Sequence, residues 1–176
     1  MGGLPKPSDW LHTTEPTVSP DEGGILVKTH LLSLDPAMRG WMNEGKSYIA
    51  PVGISEVMRA GGVGEVVESK NPAFPVGAMV NAGLGVQEYC LINAGEIKRS
   101  GVFAIDTNAA PAQKWLNALG MPGMTAYFGL LDVGQPKAGE TVVVSGAAGA
   151  VGQTVGQVAK LKGCRVVGIA GGAQKC

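Results

Sequence analysis

Thr141-Val-Val-Val-Ser-Gly-Ala-Ala-Gly-Ala-Val-Gly152 decides how this chain is read. Thr141 to Ser145 is a short β-branched run of the kind a fully buried parallel strand uses, and it leads into glycines at 146, 149 and 152. From Ala150 to Lys162 there is no proline, and Val151, Val155, Val158 and Ala159 recur at helical spacing, so one face can lie against a sheet. Gly163 suits the C′ position of that helix. Cys164 to Ala170 then supplies a second apolar run. The stretch predicts one right-handed βαβ unit of about thirty residues.

A glycine turn between a strand and a helix has a chemical use. A pyrophosphate needs unpaired N–H groups at a helix start, with no Cβ holding the backbone away. Gly149 and Gly152 would supply that close approach. Helix–sheet packing alone would also account for the spacing; placement between an apolar strand and a capped helix favours the nucleotide. No Lys-Ser or Lys-Thr pair follows the last glycine, which argues against a Walker phosphate loop.

Charge beyond the second strand bears on which dinucleotide fits. Folds selecting NAD place Asp or Glu about twenty residues past the glycine turn, to accept from the ribose 2′-hydroxyl. Here no acidic residue occurs from Thr141 to Cys176, and the strand ends in Gly171-Gly172-Ala173-Gln174-Lys175. A cation there suits a 2′-phosphate, a contact worth about 1.5–3 kcal/mol. NADP(H) is therefore expected over NAD(H). The plainer reading of Lys175 is a solvated surface lysine.

Composition narrows the partners. Lys plus Arg equals Asp plus Glu at 14 each, so no charged field points to nucleic acid or an anionic membrane. No apolar run approaches membrane-spanning length, and Met1-Gly-Gly-Leu-Pro-Lys-Pro7 lacks the apolar core of a signal peptide, so a cytoplasmic protein is the default. Cys90, Cys164 and Cys176 are far apart and only His12 and His30 offer imidazoles. No metal-ligand spacing exists, and the cysteines read as buried residues or reduced thiols.

Upstream the texture changes. Ile25 to Leu34, Gly62 to Val67, Val76 to Val80 and Val86 to Ile92 are short apolar stretches separated by glycine and proline, a spacing that predicts a small β-barrel. Pro111 to Leu119 reads as helical. A second helix is expected from about Gly123, with Met124, Tyr127, Phe128 and Leu131 on one stripe and Gly134 just beyond its end. The domains are expected to span residues 1–115 and 116–176.

Leu31-Leu-Ser-Leu-Asp-Pro-Ala-Met-Arg39, Gly120-Met-Pro-Gly-Met-Thr-Ala-Tyr-Phe-Gly-Leu130 and Gly139-Glu-Thr-Val-Val-Val-Ser-Gly-Ala-Ala-Gly-Ala-Val-Gly152, in that order, resemble the zinc-independent medium-chain dehydrogenase/reductases. The likeness is to the branch of prostaglandin reductases, leukotriene B4 dehydrogenases, alkenal reductases and curcumin reductases. It implies a GroES-like barrel followed by the first βαβ unit of an α/β Rossmann domain, and an enzyme without zinc. The activity implied is NADPH-dependent reduction of a carbon–carbon double bond conjugated to a carbonyl. Hydride passes from the nicotinamide to the β-carbon of an enone, and the charge developing on the carbonyl oxygen needs a donor.

By the same resemblance Gly149, Ala150, Val151, Gly152, Gly171 and Lys175 contact NADP, Met124 and Thr125 lie near the nicotinamide, and the complete protein is a homodimer. Tyr48, in the loop after the Asp35-Pro36 turn, is a candidate for substrate contact; a tyrosine packed with its tip in water is the plainer reading. Arg39 reads as a structural ion-pair partner. No residue is assigned as proton donor.

The chain departs from the family pattern at Ala37, where a tyrosine is usual, at Val86, where an aromatic is usual, and at Ala78, where an aspartate is typical. Family chains also continue through several more strands. The sequence therefore resembles a fragment lacking the first barrel strand and most of the nucleotide domain, expected to be inactive alone and to leave apolar surface exposed on its parallel pair. Two other readings stay open: quinone reduction by a related branch, and an inert or purely binding polypeptide.

Overall fold

A computed structural model describes residues 3–175. Met1, Gly2 and Cys176 lie outside the described residues, and the readings of Cys176 as a reduced thiol and of the first two residues lie there with them. The chain forms two compact units that divide between Ala104 and Ile105.

In the first unit β1 (Ile25–Leu32), α1 (Ala37–Trp41), β2 (Gly61–Ser69), β3 (Met79–Gly83), β4 (Tyr89–Ile92), α2 (Ile97–Ser100) and β5 (Phe103–Ala104) follow in order. The five strands form one sheet in the order β4-β1-β2-β3-β5, every neighbour antiparallel. The strand spacing predicts a small β-barrel; among the described residues no ladder joins β4 to β5, so the sheet is open. Closure needs two edges long enough to pair, and β5 offers two residues.

The core follows from alternation. Ile25, Val27, Val66, Val80, Ala82, Leu84, Cys90 and Ile92 gather on one side, and Ile25, Val27, Val66, Val80 and Leu84 are fully buried. Side chains of this kind contribute about 1.5–3 kcal/mol each when removed from water. The apolar stretch at 76–80 becomes a strand only from Met79. Gly77, at φ +85°, sits in a turn in which Ala78 N–H donates to Pro75 O at 3.0 Å, and the strand follows that turn. Likewise Gly85, at φ +70°, delays the fourth strand to Tyr89.

The second unit holds α3 (Ala112–Trp115), α4 (Met121–Phe128) continued by π-helical turns over Gly129–Gly134, β6 (Thr141–Ser145), α5 (Ala150–Leu161) and β7 (Arg165–Ile169). β6 and β7 pair in parallel, Thr141 opposite Arg165 and Ser145 opposite Ile169, and α5 is the crossover between them. Gly163, at φ +78°, follows the C-cap Lys162 as the spacing predicts.

One expectation needs correction here. The helix expected over Pro111–Leu119 is only four residues long. The chain instead folds back so that Gly120 and Gly123 N–H both donate to Asn117 O, each at 3.0 Å. Of the stripe read along the second helix, Met124, Tyr127 and Phe128 are exposed and Leu131 packs on the core, while Gly123 and Ala126 are buried. α4 packs against α5. A Cβ at Gly123 would collide with the Ala118 carbonyl. The parallel strands are covered on one face only and leave apolar surface exposed, as expected. Val142 and Val166 pack with Val155, Val158 and Ala159 of α5, whereas Val143 and Ile169 are exposed on the other face, and Val151 of α5 is exposed as well.

Candidate functional site

The glycine turn is the best-defined local structure of the second unit. Gly146 takes φ +61°, Gly149 N–H donates to Gly146 O at 2.9 Å, and Gly149 is the N-cap of α5. Gly152 is required by close approach: a Cβ there would run into the Gly146 carbonyl oxygen and sit 2.9 Å from Ala147 Cα. The first turn of the helix is thus pressed onto the loop, which is the packing role a third glycine has in such turns. Gly152 therefore serves the turn's own packing, and Gly149 with Ala150 and Val151 forms its exposed part.

No side chain caps α5. The amides of Ala150, Val151 and Gly152 open its first turn, where a helix leaves N–H groups without intrahelical acceptors and carries partial positive charge. The loop before them, Gly146 to Gly149, is glycine and alanine only, and Gly149, Ala150 and Val151 are exposed. This donor set suits a phosphate or pyrophosphate of a dinucleotide.

Because β6 and β7 are parallel and in register, the segments after them leave the same edge of the sheet. Ala147 N–H donates to Ile169 O at 3.0 Å, tying the glycine turn to the end of β7. Gly171 is exposed, Gly172 takes φ +79°, and Lys175 N–H donates to Gly172 O at 3.1 Å in the turn that follows. The structure thus brings Gly149–Gly152 and Gly171–Lys175 to one edge, the carboxyl end of a parallel sheet, where open α/β sheets bind ligands. Lys175 is an exposed side chain there.

Met124 and Thr125 lie on α4. Thr125 Oγ1 donates to Met121 O at 2.8 Å, and Met124 lines a groove of about 260 Å³ with Leu119, Tyr127, Phe128, Thr154 and Val158. Thr154, whose Oγ1 donates to Ala150 O at 3.1 Å, sits one helical turn after the open end of α5. Tyr127 and Phe128 meet edge to face at 5.4 Å. Thr154 and Leu119 were not legible as site residues; the repeat of helix spacing from the glycine turn to Thr154 is the signal that points to the first.

Tyr48 belongs to the first unit. Its ring is 85 % exposed, and its hydroxyl oxygen accepts a hydrogen bond from Trp41 Nε1 at 3.3 Å. Among the described residues Arg39 forms no ion pair: Nη1 donates to Asn43 Oδ1 at 2.8 Å and Nη2 to Gly3 O at 3.0 Å, both neutral acceptors. Ala37 opens α1, Val86 is half-exposed, and Ala78 packs on the core. His30 Nε2 stands 3.6 Å from Glu65 on the sheet surface. Cys90 and Cys164 are free and buried, and burial pushes the Cys90 thiol above its usual range. Among the described residues no cluster of three or more His, Cys, Asp or Glu is placed to hold a metal ion, and no helix is long and apolar enough to cross a membrane.

With this geometry in hand, comparison with known proteins is informative. Residues 1–100 match the family described as the N-terminal domain of oxidoreductase. The chain belongs to this oxidoreductase family, within the medium-chain dehydrogenase/reductases. It is 49% identical over 173 residues to the NADP-dependent oxidoreductase YfmJ of Bacillus subtilis, covering 98% of this chain and 49% of that one. To the NADPH-dependent curcumin reductase of Escherichia coli it is 48% identical, covering 99% of this chain and 49% of the relative. The crystal structure of CurA from Vibrio vulnificus in complex with NADPH superposes with a TM-score of 0.86 at 46% identity, over 98% of this chain and 50% of CurA. The chain spans about half the length of the relatives it matches. Its antiparallel sheet is consistent with a GroES-like N-terminal domain.

Proposed function

We propose that this chain carries the substrate-side sheet and the nucleotide turn of an NADPH-dependent reductase acting on carbon–carbon double bonds conjugated to a carbonyl. The observation that carries the reading is the uncapped start of α5 on its glycine turn, at the carboxyl edge of the parallel pair. The relatives' names, NADP-dependent oxidoreductase and curcumin reductase, support the same chemistry. In this reading β6-α5-β7 is the first unit of a Rossmann domain, and the antiparallel unit contributes to substrate binding.

Each residue then has a task. Amides of Ala150, Val151 and Gly152 hold the pyrophosphate, with Gly149 leaving room for it. Lys175, with Gly171 as the flexible approach, neutralises the 2′-phosphate. Met124 and Thr125 border the nicotinamide end, Met124 as apolar surface and Thr125 as a hydroxyl whose lone pairs remain free to accept. Tyr48 presents its phenolic proton to the substrate carbonyl oxygen, where negative charge develops. When bound, the dinucleotide supplies the hydride.

Two measurements on the full-length gene product test this. Calorimetric titration is expected to give tighter binding of NADPH than of NADH; equal affinities would remove the assignment of Lys175. NADPH oxidation is expected with an alkenal or curcumin and not with a simple quinone. The reverse pattern would move the protein to the quinone reductases.

A further inference from the structure

We infer that Trp41 is a positioning residue whose indole N–H orients the Tyr48 hydroxyl toward a substrate carbonyl; this rests on the reading that Tyr48 touches the substrate. The reason is that Tyr48 has little else to orient it. Its ring is 85 % exposed, so packing does not fix its rotamer, and among the described residues the one side-chain hydrogen bond given to it comes from Trp41 Nε1, at 3.3 Å. A phenol carries one proton and two lone pairs. The indole is a donor only, so it occupies a lone pair and leaves the phenolic proton to point elsewhere. Accepting a hydrogen bond also polarises the O–H and makes it a stronger donor. An aromatic nitrogen in this place therefore prepares Tyr48 to donate to an oxygen that gains negative charge.

Trp41 is itself held from two sides, which is what a positioning residue needs. It ends α1, and its carbonyl accepts from Val52 N–H at 2.8 Å, closing the loop that carries Tyr48. The Arg59 guanidinium lies over its ring, 5.4 Å from the centroid, and both Nη1 and Nη2 of Arg59 donate to Ala50 O at 3.2 Å. Ala50 is two residues past Tyr48. One guanidinium thus pins the indole face and the loop together, a cation–π and bidentate use of Arg that lysine does not reproduce.

The test is a double-mutant cycle in the full-length protein, with NADPH and 3-nonen-2-one as probe substrate. Tyr48→Phe is expected to lower kcat about tenfold, less than the loss of a fully enclosed oxyanion donor because the residue is exposed. Trp41→Phe keeps a ring under Arg59 but removes the N–H, and is expected to lower kcat roughly threefold to tenfold with NADPH affinity unchanged. In the double variant the loss should equal that of Tyr48→Phe alone, because Trp41 acts only through that hydroxyl. If the two losses multiply, or Trp41→Phe leaves kcat intact while Tyr48→Phe lowers it, the role of Trp41 is overturned and Tyr48 stands as a substrate contact. If Tyr48→Phe leaves kcat and KM unchanged, the substrate reading of Tyr48 falls and this inference with it. Should Trp41→Phe lose NADPH binding through misfolding, Arg59→Gln replaces it in the cycle, and non-additivity with Tyr48→Phe decides in the same way.

Discussion

The antiparallel unit and the βαβ unit bury their strands to very different degrees. In the first, strand residues such as Val27, Val66 and Val80 have no exposure at all, although the sheet is open at both edges. In the second, Val143 is 61 % exposed and Ile169 55 %, although both lie in apolar runs as dense as any in the chain. Covering one face satisfies an antiparallel sheet, whereas a parallel pair drawn from β-branched residues has two apolar faces and α5 covers one of them. An apolar run therefore states what a strand could bury, and the number of layers present decides what it does bury.

Charge insertion should separate the two units most sharply. Val66→Asp places a carboxylate in a fully buried site without a partner and is expected to cost at least about 4 kcal/mol in urea denaturation of the 176-residue chain. Val143→Asp is expected to cost less than about 0.5 kcal/mol, since the side chain is already in water. A cost of several kcal/mol at Val143 would mean that this face is covered in solution, by further chain or by a second copy.

Next in size is Lys175→Ala in the full-length protein, expected to weaken NADPH by about 1.5–3 kcal/mol and NADH hardly at all. Equal effects on the two nucleotides would return Lys175 to the solvated surface.

Within α5 two glycines make opposite predictions. Gly152→Ala meets the Gly146 carbonyl and is expected to destabilise by about 1–3 kcal/mol. A Cβ at Gly156 would meet only Val166 Cγ1 at 3.6 Å, an ordinary contact, so Gly156→Ala is expected to stabilise by about 0.5–1 kcal/mol through helix propensity. Thermal melts of the two variants check the pair, and the same sign for both would undo the distinction between a packing glycine and a tolerated one.

The βαβ unit was almost wholly legible in the sequence because its signals are local. Thr141–Ser145 is the strand as read, α5 starts at Ala150, and Gly163 stops it. Legibility failed where tertiary contacts decide. The spacing of Met124, Tyr127 and Phe128 places them on one stripe but does not say which side of α4 is covered; Gly123 and Ala126 are the buried residues. Closure of the barrel depends on edge pairing, which no short window of sequence contains. At the candidate site, the glycine turn could be read from spacing, whereas the hold of Trp41 and Arg59 on Tyr48 is a matter of a loop folding back.

The smallest expected effect concerns the two buried cysteines, one in each unit. Cys164 Sγ donates to Lys137 O at 3.3 Å, beside the start of β7. Cys90 lies in the core of the antiparallel sheet, and desolvation there is the main reason its thiol ionises less readily than the ordinary 9.0, with the nearby Glu96 charge adding to it and a hydrogen bond with Gln87 opposing. The folded state thus keeps a proton that the unfolded chain gives up. Stability from this group is full below about pH 9 and is lost as pH rises through the folded value, because in that window the unfolded state binds fewer protons. Urea midpoints at pH 8 and pH 10 should therefore fall more steeply for the native sequence than for Cys90→Ala. Parallel slopes would mean that the core of the first unit admits water to Cys90, and the contrast between a sealed sheet and a half-covered one would lose its sharpest local instance.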